Sequence, residues 1–189
     1  PNYTEKRSVK EMAEEAGEHW AETLLRLSRE TQGRALFNWH MFQKDMDELK
    51  DLLTKSKHIY PGLGDAGAHV SQIMDAGWST FILSYWHRET GTFSIEQAVE
   101  KMTSGPAKVL GLNDRGVLSV GMKADVNVFD ADEVCELQPT LVHDFPNGAP
   151  RFIQKSRGFK ATIVNGAVSV RNGELTGIRA GEVLRHGQG

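Results

Sequence analysis

A change of hydrophobic pattern near residue 113 restricts the fold more than any other feature of this chain. Before it, stretches with a helical period alternate with short apolar runs. After it, Gly and Asp turns separate short alternating segments: VLSV (117–120), ADVNVFD (124–130), FKATIVNG (159–166) and AVSVRNGEL (167–175). A period of two marks half-buried strands. Asn165-Gly166 and Asn172-Gly173 are hairpin dipeptides, because Asn and Gly both tolerate the left-handed backbone that a tight β-turn requires. One regular architecture cannot serve both periods. The chain therefore reads as two parts, 1–112 and 113–189, within a length of 189 residues that allows one large domain or two small ones.

Residues 8–31 read as helix, opened by a capping box of Ser8 and Glu11 and broken at Gly17, with Gly33 closing the second half. Met12, Ala13 and Ala16 form one apolar stripe; Trp20, Leu24 and Leu27 form another. RALFNWHMF (34–42) has the aromatic, apolar character of a buried strand. Residues 43–56 read as a short helix with Met46, Leu49, Leu52 and Leu53 on one face. YPGLGDAGAHV (60–70) reads as a short strand running into a glycine-rich turn, followed by a helix over 71–86. Ser94 and Gln97 cap the next helix, and Gly105-Pro106 ends it. This alternation predicts an α/β arrangement with parallel strands, too few to close a barrel.

Composition removes several functions. The net charge of -3 gives no electrostatic drive toward nucleic acid or anionic membranes. No apolar run reaches the roughly 20 residues that span a bilayer. A single cysteine, Cys135, rules out an intrachain disulfide and makes a cytoplasmic location the default expectation. The chain has no G-x-S-x-G elbow, no P-loop and no Rossmann fingerprint in context.

The chemistry concentrates at Gly64-Asp65-Ala66-Gly67-Ala68-His69. A carboxylate after an apolar strand, on a turn of small residues, lies where α/β barrels gather their active sites. Asp65 is a candidate metal ligand or general base; the competing reading is a helix cap or Asx turn. His69 is a candidate substrate contact, against a locally bonded helix-start residue. Arg88, in WHRE, is a candidate for holding an anionic substrate group through its planar fork, against a surface salt bridge. The seven histidines form neither an H-x-H pair nor an H-E-x-x-H motif. A hydrolytic zinc site takes about three protein ligands. If Asp65 touches a metal, most of the ligands lie elsewhere.

GDAGAHV (64–70), SIEQAVEKMTSGPAKVLGLNDRGVL (94–118) and GMKADVNVFD (121–130) resemble the amidohydrolase superfamily. DFPNGAPRFIQKSRGFKATIVNGAVSVRNGELTG (144–177) with GEVLR (181–185) resembles the C-terminal end of its N-acyl-D-amino-acid deacylase (D-aminoacylase) type. The resemblance implies a metal-bearing (β/α)8 TIM-type barrel joined to a small β-sandwich. Residues 1–112 would supply the last barrel strands and helices, with 34–42 as strand seven and 60–65 as strand eight. Residues 113–189 would supply a sandwich segment.

It further implies a hydrolase of non-peptide C–N bonds, those of N-acyl-D-amino acids, with Asp65 as metal-site residue and general base. One or two zinc ions would polarise the carbonyl and acidify a bound water to a pKa of roughly 7. The other ligands would lie outside this chain. The implied partners are a small-molecule amide and either a preceding segment or a partner chain that completes the barrel. Homo-oligomerisation would be another way to cover the open sheet edges. The fragment alone is expected to be inactive. The alternative function is a non-catalytic amidohydrolase-like scaffold or binding protein.

Overall fold

The computed structural model describes residues 7–39, 45–62 and 64–185. The chain divides into two compact units, Pro1–Met46 and Asp47–Gly189.

The first unit contains α1 (Val9–Ala16) and α2 (Trp20–Glu30), packed on one another. Ser8 caps α1: its hydroxyl accepts from the Glu11 N–H, and the Glu11 carboxylate accepts from the Ser8 N–H. The Ser8 N–H and, after it, the Ser8 hydroxyl, which also donates to the carboxylate at 2.9 Å, hold the Glu11 carboxyl below the usual range. Gly17 ends α1 with φ 66°, in the left-handed region that suits a residue without Cβ. A second box that local patterns did not flag opens α2. There His19 is the cap, its Nδ1 accepting from Ala21 N–H, while Glu22 accepts from His19 N–H. Glu18 takes Arg26 and the Thr23 hydroxyl, which hold its carboxyl low, Arg26 more strongly. Residues 34–39 form no strand, and Trp39 is 74% exposed. A strand exists only through hydrogen bonds to a neighbour; among the described residues every paired strand lies within 126–175. Residues 40–42 of the expected strand fall outside the described residues.

From Asp47 onward α3 (Met46–Lys55) belongs to the second unit; it buries Leu53 but leaves Leu52 half exposed. Residues 60–62, 64 and 65 form no strand, for the same lack of a neighbour. The helix expected over 71–86 starts later, as α4 (Trp78–Phe81), and continues as a π-helix over Ile82–Glu89. This segment buries Ile82, Leu83, Ser84 and Trp86. Phe81 stacks on Tyr85 with ring centroids 4.7 Å apart, and Tyr85 meets Trp86 edge-on.

Helix α5 (Ile95–Glu100) opens with the expected Ser94/Gln97 box. Replacing Ser94 by alanine is expected to cost about 1 kcal/mol, read as a fall in denaturation midpoint; an unchanged midpoint would contradict a stabilising cap. Gly105-Pro106 does not end this helix. It lies in the first turn of another, α6 (Ser104–Leu110), where proline's missing N–H has no partner to lose.

Eight short strands follow: β1 (Val126–Phe129), β2 (Cys135–Glu136), β3 (Thr140–Val142), β4 (Arg151–Ile153), β5 (Ser156–Arg157), β6 (Phe159–Val164), β7 (Ala167–Arg171) and β8 (Glu174–Leu175). They form one sheet of order β1-β6-β7-β8 and two ribbons, β2-β5 and β3-β4, all antiparallel. Both expected hairpin turns are present: Asn165 and Gly166 have φ 49° and 83°, and Asn172 and Gly173 have 48° and 82°. VLSV (117–120) forms no strand, and Val120 is fully exposed.

Helical structure ends at Leu110 and strands begin at Val126, yet both belong to the second compact unit. Side chains explain why. The Ser84 hydroxyl donates to the buried Glu136 carboxylate at 2.8 Å. Arg88 Nη1 donates to the carbonyls of Val134 at 2.6 Å and Ala131 at 3.1 Å. Val134 is itself fully buried. Further along, Arg115 bridges Asp114 and Asp125, and its hydrogen bonds hold the Asp114 carboxyl below the usual range. Among the described residues no helix is long and apolar enough to cross a membrane.

Candidate active-site turn

The turn that carries Asp65 and His69 is built by its glycines and by neighbours distant in sequence. A Cβ on Gly64 would come within 2.5 Å of the Asp75 carbonyl oxygen and 3.0 Å of Trp78 Cδ1. Glycine there is required by close packing within the protein. Gly67 has φ 95° and open space where a Cβ would stand, so it serves the turn conformation. Between them the Asp65 carbonyl accepts from Ala68 N–H at 3.0 Å, closing a tight turn.

The Asp65 side chain is exposed, and among the described residues it has no hydrogen-bond partner. It caps no adjacent helix, since the next helix begins at Trp78. Its acceptor positions are therefore open to a ligand. His69 is exposed with φ 48°, a region a residue with a Cβ seldom adopts. Its carbonyl accepts from Gln72 N–H at 2.6 Å and from Ile73 N–H at 3.3 Å. Asp65 and His69 thus share one turn.

Arg88 lies in the π-helix, half-buried, with Nη1 committed to two backbone carbonyls. Through Nη1, Arg88 braces the backbone at Ala131 and Val134. A groove of about 650 Å³ lies between the helices and the sheet, lined by Trp78, Leu83, Val99, Met102, Phe129 and Phe159 among others. None of Asp65, His69 and Arg88 lines it.

Sequence reasoning passed over Val70, Gly77, Glu136 and Gln154, which hold the segment that follows the turn. Phe152 N–H donates to the Val70 carbonyl at 2.8 Å, and Gly77 N–H donates to Gln154 Oε1 at 2.8 Å. No local spacing announces bonds across 77 residues.

The turn falls short of a metal's ligand set. Among the described residues no group of three or more His, Cys, Asp or Glu side chains could hold an ion. Asp65 offers carboxylate oxygens alone, and a hydrolytic site takes about three protein ligands. The described residues do not make a complete metal centre.

A family profile described as "Amidohydrolase family" matches residues 52–170. The chain belongs to the amidohydrolase family. That membership gives it the fold class of the α/β metal-dependent hydrolases. Among curated relatives of this amidohydrolase, the D-aminoacylase of Alcaligenes xylosoxydans xylosoxydans is 30% identical over 187 residues, covering 80% of this chain and 37% of the relative. The N-acyl-D-glutamate deacylase of the same organism is 44% identical over 91 residues, covering 47% of this chain and 17% of the relative. A D-aminoacylase structure solved to define the role of its binuclear metal centre superposes with a TM-score of 0.55 at 25% identity. That match covers 92% of this amidohydrolase and 33% of the solved chain. The amidohydrolase chain thus spans well under half the length of the relatives it matches.

Proposed function

We propose that this chain is the C-terminal part of a metal-dependent amidohydrolase that hydrolyses the N-acyl bond of N-acyl-D-amino acids. Residues 1–112 would complete a (β/α)8 barrel together with polypeptide beyond this chain, and 113–189 would form a segment of a β-sandwich. Antiparallel strands within 126–175 support the second assignment. The observation that carries the functional reading is the open carboxylate of Asp65, on a glycine-built turn inside the matched family region.

Asp65 would accept the proton of the attacking water and return it to the leaving nitrogen, the two halves of general acid–base catalysis. His69, on the same turn, would contact substrate. The remaining ligands of one or two zinc ions would come from outside this chain. The metal centre of the D-aminoacylase structure supports metal dependence. The names of the curated relatives support a D-amino-acid derivative as substrate.

The test is release of free amino acid by the full-length protein from N-acetyl-D-glutamate and from an apolar N-acetyl-D-amino acid, with the L-enantiomers as controls. Release from the D-substrates is expected, lost on dialysis against a chelator and restored by zinc. Release that persists in metal-depleted protein would remove the metal dependence. No release from any N-acyl amino acid would favour a non-catalytic scaffold.

A further inference from the structure

We infer that Gln154 is a positioning residue for the Asp65 turn; the inference rests on the general-base role proposed above. Residues 64–77 contain no helix and no strand, so their own hydrogen bonds fix them only locally. Three contacts set their course. At the start, Gly64 lies against Asp75 and Trp78. In the middle, the Val70 carbonyl accepts from Phe152 N–H at 2.8 Å. At the end, Gly77 N–H donates to Gln154 Oε1 at 2.8 Å.

Two of these three contacts come from one stretch, residues 152–154. Gln154 is itself oriented, because its Nε2 donates to the Leu137 carbonyl at 2.9 Å. Gly77 needs an acceptor and Leu137 needs a donor, and a carboxamide supplies both. The chain that Gln154 grips is tied in turn to the π-helix by Ser84–Glu136 and by Arg88 on Val134. Hydrogen bonds joined through the Glu136–Leu137 peptide therefore run from the π-helix to Gly77, beside Trp78, against which Gly64 packs at the start of the turn. The space is tight as well: a Cβ on Gly77 would meet Glu136 Cβ at 2.9 Å and Gln154 Oε1 at 3.0 Å. A general base must stand within hydrogen-bond reach of the proton it takes, and misplacement by about 1 Å costs roughly 100-fold in rate.

The experiment uses the full-length protein and four variants: Gln154→Met, Gln154→Glu, Asp65→Asn and the Gln154→Met/Asp65→Asn double variant. Gln154→Met keeps length and removes the hydrogen bonds to Gly77 and Leu137; Gln154→Glu keeps the acceptor facing Gly77. Gln154→Met is expected to lower kcat roughly 10- to 100-fold with KM within about twofold, and to speed amide exchange across 64–77. Gln154→Glu should recover part of kcat. In the Asp65→Asn background Gln154→Met should cost nothing further, since both act through one group.

Wild-type kcat in Gln154→Met, or an equal loss in both backgrounds, overturns the inference while leaving Asp65 in place. Normal turnover in Asp65→Asn alone overturns the general-base reading and this inference with it. Should Gln154→Met fail to fold, Gln154→Asn, whose shorter amide falls short of Gly77, carries the same comparisons.

Discussion

Asp65→Ala in the full-length protein is expected to lower kcat for N-acyl hydrolysis by about 100- to 10,000-fold, the range that a positioned general acid–base group supplies. The expectation follows from the turn. The carboxylate is exposed, among the described residues it is bonded to nothing, and its backbone is fixed by Ala68 on one side and by close-packed Gly64 on the other. Removing an exposed side chain with no internal partner should change stability by less than about 0.5 kcal/mol. The loss of rate would then reflect chemistry, not unfolding. The measurement is kcat and KM beside a denaturation midpoint. Turnover close to wild type with an intact fold would remove Asp65 from the reaction.

The largest effect on stability is expected from Gly158→Ala, between β5 and β6. Gly158 has φ 86°, and a Cβ there would stand 2.5 Å from Val134 Cα and 2.6 Å from Val134 N. These are backbone atoms of a fully buried residue whose carbonyl also takes Arg88. They cannot yield without loosening the junction between helices and strands. The left-handed backbone costs a residue with a Cβ about 1–2 kcal/mol, and overpacking costs about 1–3 kcal/mol more. A loss of about 3 kcal/mol or more is therefore expected in urea unfolding. A loss below about 0.5 kcal/mol would mean that Gly158 and Val134 do not pack as described. The same variant should also weaken the Arg88 and Glu136 contacts and, through Gln154, disturb the Asp65 turn.

Much of the local structure was legible because it depends on residues three or four apart. The Ser8/Glu11 and Ser94/Gln97 boxes, the break at Gly17 and the two Asn-Gly hairpins all formed as read. The His19 box was missed because histidine is seldom read as a cap. Gly105-Pro106 was read as a stop, since glycine and proline punctuate helices at either end; the chain uses them in the first turn of α6. The strands expected over 34–42 and 60–65 rest on apolar character and on the family resemblance. Residues 34–39 and 60–65, where described, lie outside any sheet. An apolar run states that a segment suits a buried strand, but not that a neighbour is present to pair with it.

Family membership and the position of Asp65 came from the sequence alone, because motif order and turn chemistry are written in consecutive residues. The role of Arg88 as a backbone brace and the grip of Gln154 on Gly77 were decided only in three dimensions. So was the reason for Gly64, which makes room for Asp75 and Trp78. Each of these depends on atoms that the chain brings together from distant positions, and hydrogen bonds and close contacts are set by distance in space, which residue order does not state.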